Sequence, residues 1–303
     1  MKIHRHAKCL WIVGLSLLAT AMSASAIGAE FIVKRSELGP NVDVQLRGAF
    51  KKGDSDRFID AIKSQKPADA SRFTWLKIFI SSEGGDVDEA LRIGRFLRSE
   101  NALVAIVLGG KCFSSCVFVI AGAVQRSTEF GSVGLHRPFL LKAEKTTDFE
   151  ATYWKTYNLL KSYLLEMKTP IQLLDLMYSI PPERMRILEE DEKRILFPEM
   201  DPVFDEEFTA YLAGRYELTS FEFRKRTAES SRICPDGYTT EQFHEHDECK
   251  EALLWGLTIQ EYRMRMALVS AVCSKHPKLR SLDPNQPGPE NPVACVKHIM
   301  LGH

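Results

Sequence analysis

The chain has no surplus charge of either sign: lysine plus arginine and aspartate plus glutamate number 40 each in 303 residues. That balance excludes a global basic field of the kind that gathers nucleic acid or an anionic membrane surface, so partners have to be read from a local site. Long apolar runs are scarce as well. The most continuous, LWIVGLSLLATAM at 10–22, falls short of the roughly 20 residues that a bilayer-crossing helix needs. Internal repeats, a phosphate-binding glycine loop and a basic nucleic-acid motif are all missing. Cys112 and Cys116 are separated by three residues rather than the two of a thioredoxin-type motif, which argues against redox chemistry. What the chain does have is 45% hydrophobic and 10% aromatic residues. Such a composition buries a full core, excludes a disordered chain, and at this length suits one large domain or two smaller ones.

Residues 1–29 read as an address rather than as fold. Lys2, Arg5 and Lys8 precede the apolar run, and SASA or IGA offers a small-residue cleavage point near Ala26 or Ala29. The expectation is an exported protein, periplasmic if the source is Gram-negative, with no stable membrane span once the leader is removed. Export changes the meaning of the cysteines. Cys9 leaves with the leader, and Cys112, Cys116, Cys234, Cys249, Cys273 and Cys295 remain. An even number in an oxidising compartment favours disulfides, although six cysteines allow 15 connectivities. Nearest neighbours in sequence give Cys112 with Cys116, Cys234 with Cys249 and Cys273 with Cys295 as the simplest pairing. No metal site is expected. HEHDEC gathers His244, His246, Asp247 and Cys249, but at single-residue spacing on a predicted helix it reads as a solvated polar face.

Along the chain, FIVKR and VDVQLRGAF carry strand signals, SDRFIDAIKSQ reads as a helix, and WLKIFISS is a strand ending in EGGDVDEA. There Gly84 and Gly85 break the strand and Asp86 sits at a helix cap. Val87, Ala90, Leu91, Gly94 and Leu97 follow with one apolar stripe. ALVAIVL then leads into GGKCFSSCVF and the uncharged helix CVFVIAGA. Strand, helix, strand, helix, with strands apolar along their length, predicts an α/β fold with a parallel sheet covered on both faces. In such sheets, sites form where strands end and helices begin, and amides freed at a helix start attract developing negative charge. A serine there, held by a buried helix, needs only a base within reach; the first histidine after the leader is His136, in GSVGLHRPF.

Taken together, ISSEGGDVDEA, GGKCFSSCVFVIAGA and GLHRP resemble the core of the Clp protease/crotonase superfamily, and C-x-S-x-C in this setting resembles its exported bacterial Clp-like members. The resemblance covers about residues 42–195. It implies a repeated β-β-α core at 30–204; from about residue 205 the resemblance ends, and the four cysteines, the helical EALLWGLTIQEYRMRMALVSAV and the Pro-rich tail of 205–303 read as a small, mainly helical, disulfide-containing appendage. The resemblance implies Ser114 as nucleophile, His136 as general base, and Gly84, Gly85 and Ser115 as oxyanion donors, with Ser115 the alternative nucleophile. The third member departs from the pattern: ERMRIL places Met185 where the family has an acid, leaving Asp175, Glu183 and Asp191 as nearby substitutes. The helix carrying Trp154, Tyr157, Leu160, Leu164 and Met167 is either an oligomer interface or core. Two function classes follow. One is a serine peptidase-like hydrolase without cofactor, acting on peptides or unfolded chains and forming a homo-oligomer. The other is a non-catalytic binding or scaffold protein on the same fold. Acyl-CoA chemistry of crotonase type fits the oxyanion turn but not an exported compartment.

Overall fold

The computed structural model describes residues 28–36, 41–68, 70, 73, 75–139, 149–234, 240–273 and 292–302. Residues 1–27, which include Cys9 and most of the expected leader, lie outside them. Gly28 and Ala29 do not: Ala29 is buried, and its N–H donates to the buried Asp54 carboxylate at 2.8 Å. Of the two expected cleavage points, the one near Ala26 leaves this contact in place and the one at Ala29 removes it.

The fold is α/β. Strands β1 (Glu30–Arg35), β2 (Val42–Arg47), β3 (Leu76–Ser81), β4 (Leu103–Ile106) and β6 (Gln125–Ser127) form one sheet in the order β1-β2-β3-β4-β6. Pairing is parallel except for β1 on β2. A smaller sheet, β5-β7-β8, joins β5 (Lys111–Phe113), β7 (Ser132–Leu135) and β8 (Arg186–Ile187), with β5 and β7 parallel and β8 antiparallel. A bridge from Ser82 to Cys112 ties the two sheets together.

Among the described residues the large sheet is covered on one face only, where the sequence suggested cover on both. Val42, Val44 and Leu46 on β2, and Leu76, Ile78 and Ile80 on β3, are buried. Their alternates Asp43, Gln45, Arg47, Lys77 and Phe79 stay partly or fully exposed. Period-two alternation means one buried face.

Helices α1 (Asp54–Lys63), α2 (Val87–Ser99) and α3 (Cys116–Gly122) accompany the sheet. Asp86 caps α2 as expected, accepting from the Glu89 N–H at 3.2 Å. α1 instead starts at Gly53 with no side-chain cap. Where α2 and α3 cross, a Cβ on Gly122 would lie 2.4 Å from the Gly94 Cα, so glycine at both positions lets the two backbones touch. Helix α4 (Phe149–Glu166) lays Leu160, Tyr163 and Leu164, with Met167 just beyond its end, into this core, and leaves Trp154 half exposed. Three of the five residues raised for an oligomer face, Leu160, Leu164 and Met167, are therefore core.

Arg126 holds the far end of α3. It is buried and donates to the Ile120 and Ala121 carbonyls, which are helix-terminal acceptors with partial negative charge. Burial pushes its guanidinium down to about 10, still protonated at neutral pH. After α5 (Gln172–Ser179) and α6 (Glu190–Leu196), Asp201 caps α7 (Pro202–Arg215) and meets Arg98 at 2.5 Å. Pro202 is the first residue of α7, so position 204/205 falls inside that helix. Phe204 packs with Phe73 and Val124, so α7 is rooted in the sheet domain.

The remaining helices are α8 (Ser220–Ile233), α9 (Thr240–Trp255), α10 (Ile259–Cys273) and α11 (Pro292–Leu301), and Cys234–Cys249 and Cys273–Cys295 staple them. Among the described residues no helix is long and apolar enough to cross a membrane.

Asp201 also makes the anchoring of α7 pH-dependent. Burial raises its pKa, but the Phe204 amide, Arg98 and the Val203 amide outweigh this and hold the carboxyl below its ordinary value. A depressed carboxyl contributes stability above the unfolded value of about 3.9 and loses it as pH falls through the folded one. Urea unfolding should show Asp201→Asn to be less stable by about 2 kcal/mol near neutrality, a charge-assisted hydrogen-bond magnitude. The gap should close at acid pH; an equal gap at pH 7 and pH 3 would contradict this account.

Candidate active site

The site is built where β3 and β5 end. Ser82, fully buried, follows β3; its hydroxyl donates to the Gly48 carbonyl at 2.6 Å and accepts the Gly84 N–H at 3.0 Å. Gly84 and Gly85 then take φ values of 93° and 128°, which disfavour any residue with a Cβ. The turn lies directly on the second strand end. A Cβ on Gly84 would sit 2.5 Å from the Phe113 oxygen, 2.8 Å from the Ser114 Cβ and 2.9 Å from the Ser115 nitrogen.

Ser114 occupies a sharp strand-to-helix turn with φ of 54°. Left-handed backbone at a non-glycine residue is uncommon and persists only where the surrounding structure holds it. Three features hold it: its N–H donates to the Gly134 carbonyl at 2.9 Å, the Cys112–Cys116 disulfide brackets it, and the apolar helix α3 follows. Ser115 is 2% exposed and spends its hydroxyl on the Gly85 carbonyl at 3.1 Å. The two serines are thus separated in role. Ser115 is a buried strut, and Ser114 is the partly exposed hydroxyl.

The amides separate too. Gly84 gives its N–H to Ser82, whereas among the described residues nothing accepts from the N–H groups of Gly85 and Ser115. Of the donors inferred from sequence, Gly84 is thus already engaged, and Gly85 and Ser115 are not engaged among the described residues. Ser82, which makes this choice, was not singled out in the sequence; its signal was a second hydroxyl at a strand end, next to the glycines.

His136 stands just beyond β7. The register pairs Phe113 with Gly134, so Ser114 and His136 emerge from neighbouring parallel strand ends. His136 is 6% exposed, with its ring against Phe139 at 5.4 Å and Nδ1 2.8 Å from the Arg137 carbonyl oxygen. Among the described residues no hydrogen bond joins Ser114 to His136.

On the other side, β8 runs antiparallel with Gly134 opposite Ile187 and Leu135 opposite Arg186. One further step brings Met185 level with His136. Its thioether is close to Gly134, where a Cβ would lie 2.7 Å from the sulfur. Of the three acids put forward as substitutes, Glu183 is exposed just ahead of β8 and the other two are engaged elsewhere. Asp175 accepts from the Tyr157 hydroxyl at 3.2 Å, and Asp191 pairs with Arg194 with 83% of its side chain exposed. Neither is hydrogen-bonded to His136.

HEHDEC lies on α9, and Cys249 is committed to its disulfide. A shallow cavity of about 360 Å³ on the outer face of the large sheet, lined by Lys34, Asp43, Gln45 and Phe79, contains none of the site residues.

No family model and no curated protein matches the chain. Among solved structures, 186 chains match. One is a mutant of a 1510-N membrane-bound stomatin-specific protease, 17% identical, covering 50% of this chain and 74% of that one at a TM-score of 0.37. Another is a mutant of ClpP1 from Listeria monocytogenes, 14% identical, covering 51% of this chain and 86% of that one at a TM-score of 0.35. The similarity is distant and concerns the fold alone.

Proposed function

We propose that the chain is a serine hydrolase acting on peptides or unfolded chains. Ser114 is the nucleophile, His136 the general base, and the amides of Gly85 and Ser115 the oxyanion donors. The observation that carries the reading is Ser114 itself: a partly exposed hydroxyl on a turn with φ of 54°, beside two backbone N–H groups with no acceptor among the described residues. In the step this arrangement supports, His136 Nε2 takes the Ser114 proton as Oγ adds to the scissile carbonyl. The oxyanion forms against Gly85 and Ser115, and the proton passes to the leaving amine; water then repeats the sequence on the acyl-enzyme. Fixed donors of this kind are each worth about 3–4 kcal/mol in the transition state. Three disulfides fit an exported, oxidising setting, periplasmic in a Gram-negative source. Assembly as a homo-oligomer belongs to the same reading.

A second reading has its own observation in favour: Met185, the residue just beyond the last β7–β8 pair and packed against Gly134, takes the position where the resembling family has an acid to orient the imidazole. On that reading the crevice binds peptides without turning them over. A fluorophosphonate separates the two. Peptide mass spectrometry is expected to place the adduct on Ser114, with no adduct in Ser114→Ala or His136→Ala. A folded protein that takes no probe would favour the binding protein, and an adduct on Ser115 would move the nucleophile.

A further inference from the structure

Resting on the hydrolase reading, we infer that the Arg137 main-chain carbonyl fills the place of the missing acid and orients His136 as the general base. A carbonyl oxygen only accepts, so the contact of 2.8 Å to Nδ1 puts the imidazole proton on Nδ1 and leaves the Nε2 lone pair free. That is the tautomer a general base needs. Tautomer selection is what the acid of a serine triad chiefly supplies, and its loss there costs about 10⁴ in rate through the wrong tautomer.

The carbonyl is itself held in direction. It belongs to the Arg137–Pro138 peptide, and a residue before proline is confined to extended backbone. The Arg137 N–H donates to the Ile180 carbonyl at 3.0 Å, tying the same residue to the segment that leads into β8. Phe139, two residues further on, packs its ring against the imidazole. His136, Arg137, Pro138 and Phe139 therefore form one positioning unit within a single stretch of chain, with Met185 contributing no charge. During addition the Ser114 proton moves to Nε2 while Nδ1–H stays on the Arg137 oxygen. The resulting imidazolium faces a neutral dipole rather than a carboxylate, so the site works with the right tautomer and without ionic stabilisation.

The full chain, labelled with ring-¹⁵N histidine and assigned by the signal lost in His136→Gln, reports the tautomer directly. A protonated Nδ1 and bare Nε2 in neutral His136 is expected; the proton on Nε2, the form a free side chain favours, overturns the assignment. Alongside it, Asp175→Asn, Glu183→Gln and Asp191→Asn should each leave the rate of fluorophosphonate labelling within twofold. A hundredfold loss in any one identifies that carboxylate as the orienting group instead. The tautomer is read without substrate or probe. A Ser114 that takes no label would thus end the hydrolase reading without touching the Nδ1 result, whereas Nε2–H with normal labelling would end the carbonyl assignment alone.

Discussion

Replacing Gly84 by alanine is expected to slow fluorophosphonate labelling of Ser114 at least a hundredfold and to lower stability by about 3 kcal/mol. Two costs combine. The backbone at φ of 93° is strained for any residue with a Cβ, a cost on the order of 1–3 kcal/mol. The new methyl would also stand 2.5 Å from the Phe113 oxygen and 2.9 Å from the Ser115 nitrogen, and neither can give way cheaply. Phe113 is paired in β5, and the residue after Ser115 is the first of the fully buried α3. The turns must therefore move apart, and the Gly85 and Ser115 amides move with them. Misplacing one oxyanion donor costs about 10²–10³ in rate. Gly53→Ala is the matched control: its φ of 91° carries similar strain, but nothing lies within 4 Å of the added Cβ, so stability should fall while labelling is retained. Wild-type labelling in Gly84→Ala would remove the two glycines from the site.

Gly84 also illustrates how far sequence could reach. The double glycine at a strand end, the cap at Asp86 and the serine at the mouth of an uncharged helix were legible, because each is a local signal written in residue types. Which amide is free was not. It depends on φ at two consecutive glycines and on the Ser82 hydroxyl reaching back to Gly84, a contact that spacing does not encode. The same limit explains the large sheet. Apolar residues marked the strands, but whether the alternates Asp43, Gln45 and Lys77 are covered depends on what lies above them. On α4 the three-and-four spacing located one apolar stripe, and only packing separates buried Leu160 and Leu164 from the half-exposed Trp154. The Arg137 carbonyl is the extreme case, since a main-chain group has no letter of its own; its one trace is Pro138.

Removing the Cys112–Cys116 disulfide is expected to reduce labelling of Ser114 more than tenfold at a modest cost in stability, and removing Cys273–Cys295 to do the reverse. Closing a loop stabilises by restricting the unfolded chain, and the contribution grows with loop length. A sequence separation of 4 corresponds to about 2 kcal/mol and one of 22 to about 3 kcal/mol in the chain-entropy account. By that measure the short bridge is the less valuable staple. Its position gives it a different role: it joins the last paired residues of β5 to the first turn of α3 across a serine held at φ of 54°. Freed of the bridge, Ser114 can relax toward ordinary backbone, and the Ser115 amide turns with it. The variants should be paired alanines, because Cys112 and Cys116 are wholly buried and serine would bury two hydroxyls without assured partners. Urea unfolding and labelling rate, measured on both double variants, separate the roles. Loss of labelling in proportion to loss of stability would make the bridge an ordinary staple. Loss of labelling from a protein that still unfolds near the wild-type midpoint would mean that the disulfide holds the nucleophile in its strained conformation.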